Sequence, residues 1–142
     1  MEKIAVFLRF LQLYSHICHN LVKGCTFFQD HEFFGELYPA YEAEYDNVVE
    51  RMIGLGKHTD LFSINREASE MLGRVEFQDA CQAIKVLLRT EGLLCSEIES
   101  TVTPRPMDHP HSTLSQGTIQ MLGNIADVSE VRQYKMKQRT AE

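Results

Sequence analysis

The sequence predicts an all-α fold of four long helices and one short one. Three observations carry this. Apolar residues recur at three- and four-residue spacings along four stretches of about twenty residues or more, no segment shows sustained strand alternation, and Gly or Pro falls where the first three of these stretches end. At 142 residues the chain lies within single-domain range, so residues 1–142 are read as one domain around one core.

Ile4, Phe7, Leu8, Leu11, Tyr14, Ile17, Cys18 and Leu21 mark the first helix, from about residue 2 to 22, with a wide buried face. Gly24 follows as a left-handed C-terminal cap with Lys23 in the last turn, and Thr26-Phe27-Phe28-Gln29 reads as a capping box that opens the second helix. A tight helical hairpin results. The second helix runs from about Thr26 to Leu55, where Gly54 and Gly56 accumulate. Pro39 lies inside it and crowds the carbonyl of Gly35, the residue best able to tolerate the distortion, so a kink is expected there rather than an end.

A short helix spans about Asp60 to Leu72, with Phe62, Ile64, Ala68, Met71 and Leu72 as its apolar positions and Gly73 closing it. Phe77, Ala80, Cys81, Ile84, Leu87, Leu88, Leu94, Cys95 and Ile98 mark a third long helix from about Glu76 to Thr101, ended by Pro104 and Pro106. Asp108-His109-Pro110-His111 is read as a proline-braced loop. Ser112 or Thr113 then caps a last helix to about Gln138, with a weaker stripe of Leu114, Ile119, Leu122, Ile125, Ala126, Val128 and Tyr134. Four long helices, with a short helix in the crossover between the second and third, amount to a four-helix bundle.

Composition narrows the function. No uninterrupted apolar run reaches membrane-spanning length, because Arg9, Gln12, His16 and His19 interrupt the apolar N-terminus, which also lacks a small-residue cleavage site. Cys18, Cys25, Cys81 and Cys95 show no paired metal spacing, and a domain this long needs no disulfide staples. A cytoplasmic protein with reduced thiols is expected. Fourteen basic against twenty acidic side chains give a net charge of −6, which argues against bulk attraction to phosphate backbones and favours cations. Arg132, Lys135, Lys137 and Arg139 gather near the C-terminus, but cations there also complement a helix dipole, so DNA binding through this tail is the weaker reading.

The residues that carry chemistry are His19, His31, Asp46 and Glu50. His19 lies six residues before Cys25 and His31 six after it, so the hairpin sets two imidazoles at similar heights on antiparallel helices. Asp46 and Glu50, four apart, share one helical face. Along one helix, however, Asp46 lies about 22 Å from His31. One chain cannot close the site. A two-fold axis that lays the second helices of two copies antiparallel brings the histidines of one beside the carboxylates of the other, in two equivalent sites per dimer. Such a nitrogen and hard-oxygen set suits iron, manganese or zinc and leaves coordination positions open.

His19-Asn20-Leu21-Val22-Lys23-Gly24, then Phe27-Phe28-Gln29-Asp30-His31-Glu32, then Asp46-Asn47-Val48-Val49-Glu50-Arg51 together resemble the signature of the Dps family, the ferritin-like miniferritins of starved cells. The short connecting helix resembles the family too. The resemblance implies a ferritin-like bundle that assembles as a hollow dodecamer from two-fold dimers. It further implies a ferroxidase that oxidises Fe(II) with hydrogen peroxide or dioxygen at inter-subunit sites, stores ferric iron and protects against oxidative damage. Carried over by position, His19, Asp46 and Glu50 are direct ligands, and His31 is a ligand or a water-mediated group.

Departures accompany the likeness. Asn20 stands where the family usually has Trp, and the chain has no tryptophan, which moves any radical-intercepting role to Tyr14, Tyr38 or Tyr45. Gly35 stands where the family often has an acidic residue, leaving Glu32 or Glu36 as substitutes for a second iron position. The last helix opens without the acidic side chains of the family's iron-entry pore, and Asp108, His109 and His111 offer a His/Asp pore as the alternative to an ordinary loop. The Lys-rich N-terminal extension used on DNA is missing. An ordinary ferritin site inside one bundle is disfavoured independently, because the chain contains no Glu-x-x-His pair. The competing readings are a DNA-compacting shell protein with weak or degenerate ferroxidase activity and a shell subunit whose metal centre is degenerate.

Overall fold

A computed structural model describes residues 1–103 and 114–141 of the chain. Among the described residues the fold is all-α and without strands: α1 (Glu2–Leu21), α2 (Phe27–Gly54), α3 (Leu61–Leu72), α4 (Ala80–Val102) and α5 (Gln116–Thr140). Asp108, His109 and His111, with Ser112 and Thr113, lie outside the described residues. No described helix is long and apolar enough to cross a membrane.

α1 is the hub. It packs along α2 and against α3 and α4, while α4 packs along α5 and α5 touches α2. Ten of its side chains, from Ile4 to Cys18, are buried, so the apolar face is wider than one stripe and serves three neighbours. Phe34, Leu37, Tyr41, Val48 and Met52 of α2 and Ile84, Leu87, Leu94 and Ile98 of α4 complete the core.

Helix starts follow side-chain acceptors more closely than apolar spacing. Asp60 caps α3 by accepting from the Ser63 N–H at 3.0 Å, and Asp79 caps α4 by accepting from the Gln82 N–H at 2.8 Å. α4 therefore opens at Ala80 rather than near Glu76, and Phe77 packs on the core from outside the helix. Ser115 caps α5, accepting from the Thr118 N–H at 3.2 Å. Thr26 occupies the N-cap position of α2 without forming the expected capping box: its oxygen accepts no backbone N–H, and its hydroxyl instead donates to the buried Asp30 carboxylate, at 2.6 Å from Oδ2. α2 continues unbroken through Pro39.

The buried face of α5 differs from the apolar stripe its sequence suggests. Val128 and Tyr134 are exposed, and the inward positions are Thr118, Leu122, Ile125, Ser129, Arg132 and Met136. Helical spacing is kept, but half of those positions are polar because they meet polar partners. Glu91 on α4 is fully buried and accepts from the Tyr41 hydroxyl, the Ser129 hydroxyl and Arg132 Nε, the last at 2.6 Å. The same guanidinium grips Glu44 of α2 with two hydrogen bonds of 2.8 and 3.1 Å and lies 4.6 Å from the centre of the Tyr41 ring. Ile17 and Leu21 of α1 and Phe62 of α3, which the sequence places in apolar stripes, are also exposed.

Burial raises the Glu44 carboxyl above its ordinary range, ahead of the opposing pull of Arg132. A carboxyl raised in the folded state stabilises most below its unfolded pKa and loses that contribution as pH rises through the folded value. Arg132→Met leaves two buried carboxylates without their cation, so the variant is expected to lose about 3–5 kcal/mol at neutral pH. The deficit shrinks as pH falls and Glu44 takes up a proton. Urea denaturation at neutral and at mildly acidic pH measures it, and a pH-independent loss would contradict the assignment.

Candidate metal site

The turn between α1 and α2 decides which residues meet. Val22 leaves α1 in an extended conformation (φ −61°, ψ 141°), and Gly24 takes a φ of 99° within the turn, a value that disfavours any β-carbon. Gly24 thus serves the reversal itself rather than the immediate cap of α1. The returning chain lays His31 against His19, with ring centroids 3.9 Å apart and planes inclined by 21°.

The contact is reciprocal. His19 Nδ1 lies 2.9 Å from the His31 carbonyl oxygen, and His31 Nδ1 lies 3.0 Å from the His19 carbonyl oxygen. Because a carbonyl can only accept, each Nδ1 carries the hydrogen and donates; in the neutral ring, each Nε2 then keeps its lone pair. This is the tautomer a metal-binding imidazole needs, with its other nitrogen anchored on a backbone acceptor. His31 also satisfies one of the carbonyls that the last turn of α1 leaves without a helical partner.

Aromatic rings hold the pair in place. Phe27 stacks on His31 at 4.8 Å. Tyr38 meets His19 edge-on at 5.4 Å and lies face to face with His16 at 4.1 Å. Gly35 closes the remaining side, where a β-carbon would sit 3.1 Å from both Cε1 and Nδ1 of His19.

The carboxylates lie elsewhere. Asp46 and Glu50 are exposed on α2, and on an unbroken helix the rise from His31 to Asp46 is about 22 Å. Glu50 borders an open cleft with Asn47, Arg51 and Met121. The structure therefore brings His19 and His31 together and holds Asp46 and Glu50 apart from them. Among the described residues no group of three or more His, Cys, Asp or Glu side chains is placed to hold a metal within one chain.

Of the four C-terminal cations, two are engaged internally: Arg132 in the Glu91–Glu44 cluster and Arg139 with Asp30, at 3.0 and 2.9 Å. Burial alone would raise the Asp30 carboxyl, but hydrogen bonds from Arg139 and Thr26 hold it below its ordinary range. Lys135 and Lys137 remain exposed. The Glu91 cluster was discernible in the sequence as a charge at a core position, since Ile84, Leu87, Glu91, Leu94 and Ile98 share one helical spacing. The contact between Gly35 and His19 had no such signal.

No family model, curated protein or solved structure matches the chain.

All four cysteines are free. Burial pushes the Cys18 thiol up to about 12, with the Tyr14 hydrogen bond acting in the opposite direction, whereas Cys25 is exposed in the turn. A disulfide reagent at pH 8 is expected to modify Cys25 first and Cys18 at least about a thousandfold more slowly, since the thiolate is the reacting species. Peptide mapping of the labelled protein checks the order, and early labelling of Cys18 in folded protein would contradict its placement.

Proposed function

We propose that this chain is an iron-oxidising, iron-storing miniferritin of the Dps type, a ferritin-like four-helix bundle whose metal site forms between two copies. One observation carries the reading. His19 and His31 each donate Nδ1–H to the other's carbonyl and keep both Nε2 lone pairs available on one hairpin. These bonds satisfy two hairpin carbonyls and at the same time fix the tautomer that metal binding requires. Supporting it, the packing of α1 on α2, α4 on α5, and both pairs on each other suits a bundle, with α3 in the crossover.

The remaining donors come from a two-fold mate. Asp46 and Glu50 are exposed and, among the described residues, form no ion pair with a cation of their own chain, and a site with two nitrogens from one copy and two carboxylates from the other retains open positions. Exposed apolar side chains occur on α1 at Ile17 and Leu21 and at both ends of α2, at Phe28, Ile53 and Leu55, which is the surface character that association covers.

Fe(II) is the substrate. The imidazoles bind it through neutral nitrogen, and the carboxylates supply the negative charge that favours the ferric product. Two ferrous ions each release one electron, one peroxide accepts both, and two protons convert it to two waters. Zinc or manganese fits the same donors, because ligand type alone does not separate them. The protein contributes orientation and open coordination positions.

Anaerobic loading with Fe(II) followed by peroxide is expected to produce ferric absorbance rapidly in the native protein and at the rate of uncatalysed solution in His19→Ala/Asp46→Ala. Equal rates in the two would refute the site. Native mass is expected near about 200 kDa for twelve chains of 16.3 kDa.

Shared sites make a sharper prediction. His19→Ala/His31→Ala and Asp46→Ala/Glu50→Ala are each expected to be inactive, yet co-refolding them in equal amounts restores about a quarter of native activity, because half of the dimers are mixed and each mixed dimer contains one intact site. No recovery from a mixture shown by mass to contain both chains would exclude the inter-subunit arrangement.

A further inference from the structure

We propose that Gly35 is the positioning residue of the imidazole pair, and that the room its missing side chain leaves to His19 limits each site to one metal ion, a role that presupposes the metal site proposed above. Glycine disfavours the middle of a helix, so its presence in α2 calls for a reason. Backbone conformation is not that reason: the positive φ values belong to Gly24 and Gly56. Nor does Pro39 demand it, since the proline ring crowds the carbonyl of position 35 rather than its side chain. Space remains.

A β-carbon at position 35 would come within 3.1 Å of two atoms of the His19 ring, tighter than ordinary contact. That ring cannot easily retreat. It is stacked on His31, edged by Tyr38 and tied through Nδ1 to the His31 carbonyl. One of the two atoms struck is Nδ1 itself, so alanine at this position disturbs the bond that selects the tautomer.

The same packing bears on the number of ions. Position 35 lies one turn beyond His31, where a carboxylate would be the nearest anionic donor of the same chain. The His19 ring occupies the way into that space. Glu32 and Glu36, the other carboxylates near His31, lie about 100° and 140° around the helix from it and so off its face. The completed site then has four protein donors, two nitrogens from one copy and two carboxylates from the other, which serve one first-row ion with open positions and leave a second without an anionic ligand of its own.

Imidazole nitrogen NMR on the metal-free full chain, combined with calorimetric titration by Zn(II), tests both parts. Only zinc lost in His19→Ala/His31→Ala is counted as bound at the pair. In the native protein both histidines are expected as Nδ1–H tautomers, with one Zn(II) per chain. Gly35→Ala is expected to keep its helical circular dichroism, lose the His19 Nδ1–H signature and bind zinc about 10- to 100-fold more weakly. Gly35→Asp is expected to weaken the first ion without adding a second. Two ions per chain at the native pair would overturn the single-ion limit, and an unchanged tautomer with affinity within twofold in Gly35→Ala would overturn the positioning role. If the native pair binds no zinc while Gly35→Ala still loses the tautomer, the metal site fails and the positioning of His19 stands.

Discussion

Burial of α1 against three neighbours is the constraint from which the remaining arrangement follows. A helix with ten inward side chains has little solvent-facing surface, and its partners must arrive from several directions. α2 returns along it through the hairpin, while α3 and α4 cover other parts of the same face. At the C-terminal end the apolar series gives out into His16, His19 and Asn20. There the seam between α1 and α2 is made of imidazole and phenol rings, and the proposed metal site begins where the hydrophobic packing stops.

A second ordering principle operates deeper in the protein. Glu91, Arg132 and Glu44 join α4, α5 and α2 through charge-assisted hydrogen bonds, with the Tyr41 and Ser129 hydroxyls also donating to Glu91. A buried ion cluster is weak evidence for net stability, because desolvation offsets the attraction, and the cost of removing one member is that of leaving the others unpaired. Its geometry is nonetheless specific: a planar guanidinium with bonds to two carboxylates tolerates little sliding of one helix past another. The cluster thus sets the relative register of three helices that apolar side chains alone would leave less determined. It also withdraws Arg132 from the basic tail, and the ion pair of Arg139 with Asp30 withdraws a second cation, which weakens the case for a DNA-binding surface at that end.

The hairpin brings His19 and His31 to one height, two carbonyls select their tautomers, and Gly35 leaves room for the ring. Asp46 and Glu50 lie far along the same continuous helix. A ligand set divided in this way makes assembly part of the chemistry, because the monomer carries only half of the proposed donors near one another.

Much of this was present in the order of residues. Three- and four-residue apolar spacing located every helix, Gly24 marked the reversal, and equal separations from Cys25 placed the two histidines opposite each other, because helical rise and periodicity are local properties of the backbone. The distance between His31 and Asp46 followed from the same arithmetic. Other features depended on packing between distant segments. That Arg132 would turn inward to Glu91, that Thr26 would bond Asp30 instead of closing a capping box, and that the His19 ring would lie against Gly35 all depend on which side chains come into contact across helices. Local periodicity assigns a residue to a face; only the approach of a second helix determines whether that face meets solvent, a carboxylate or an imidazole.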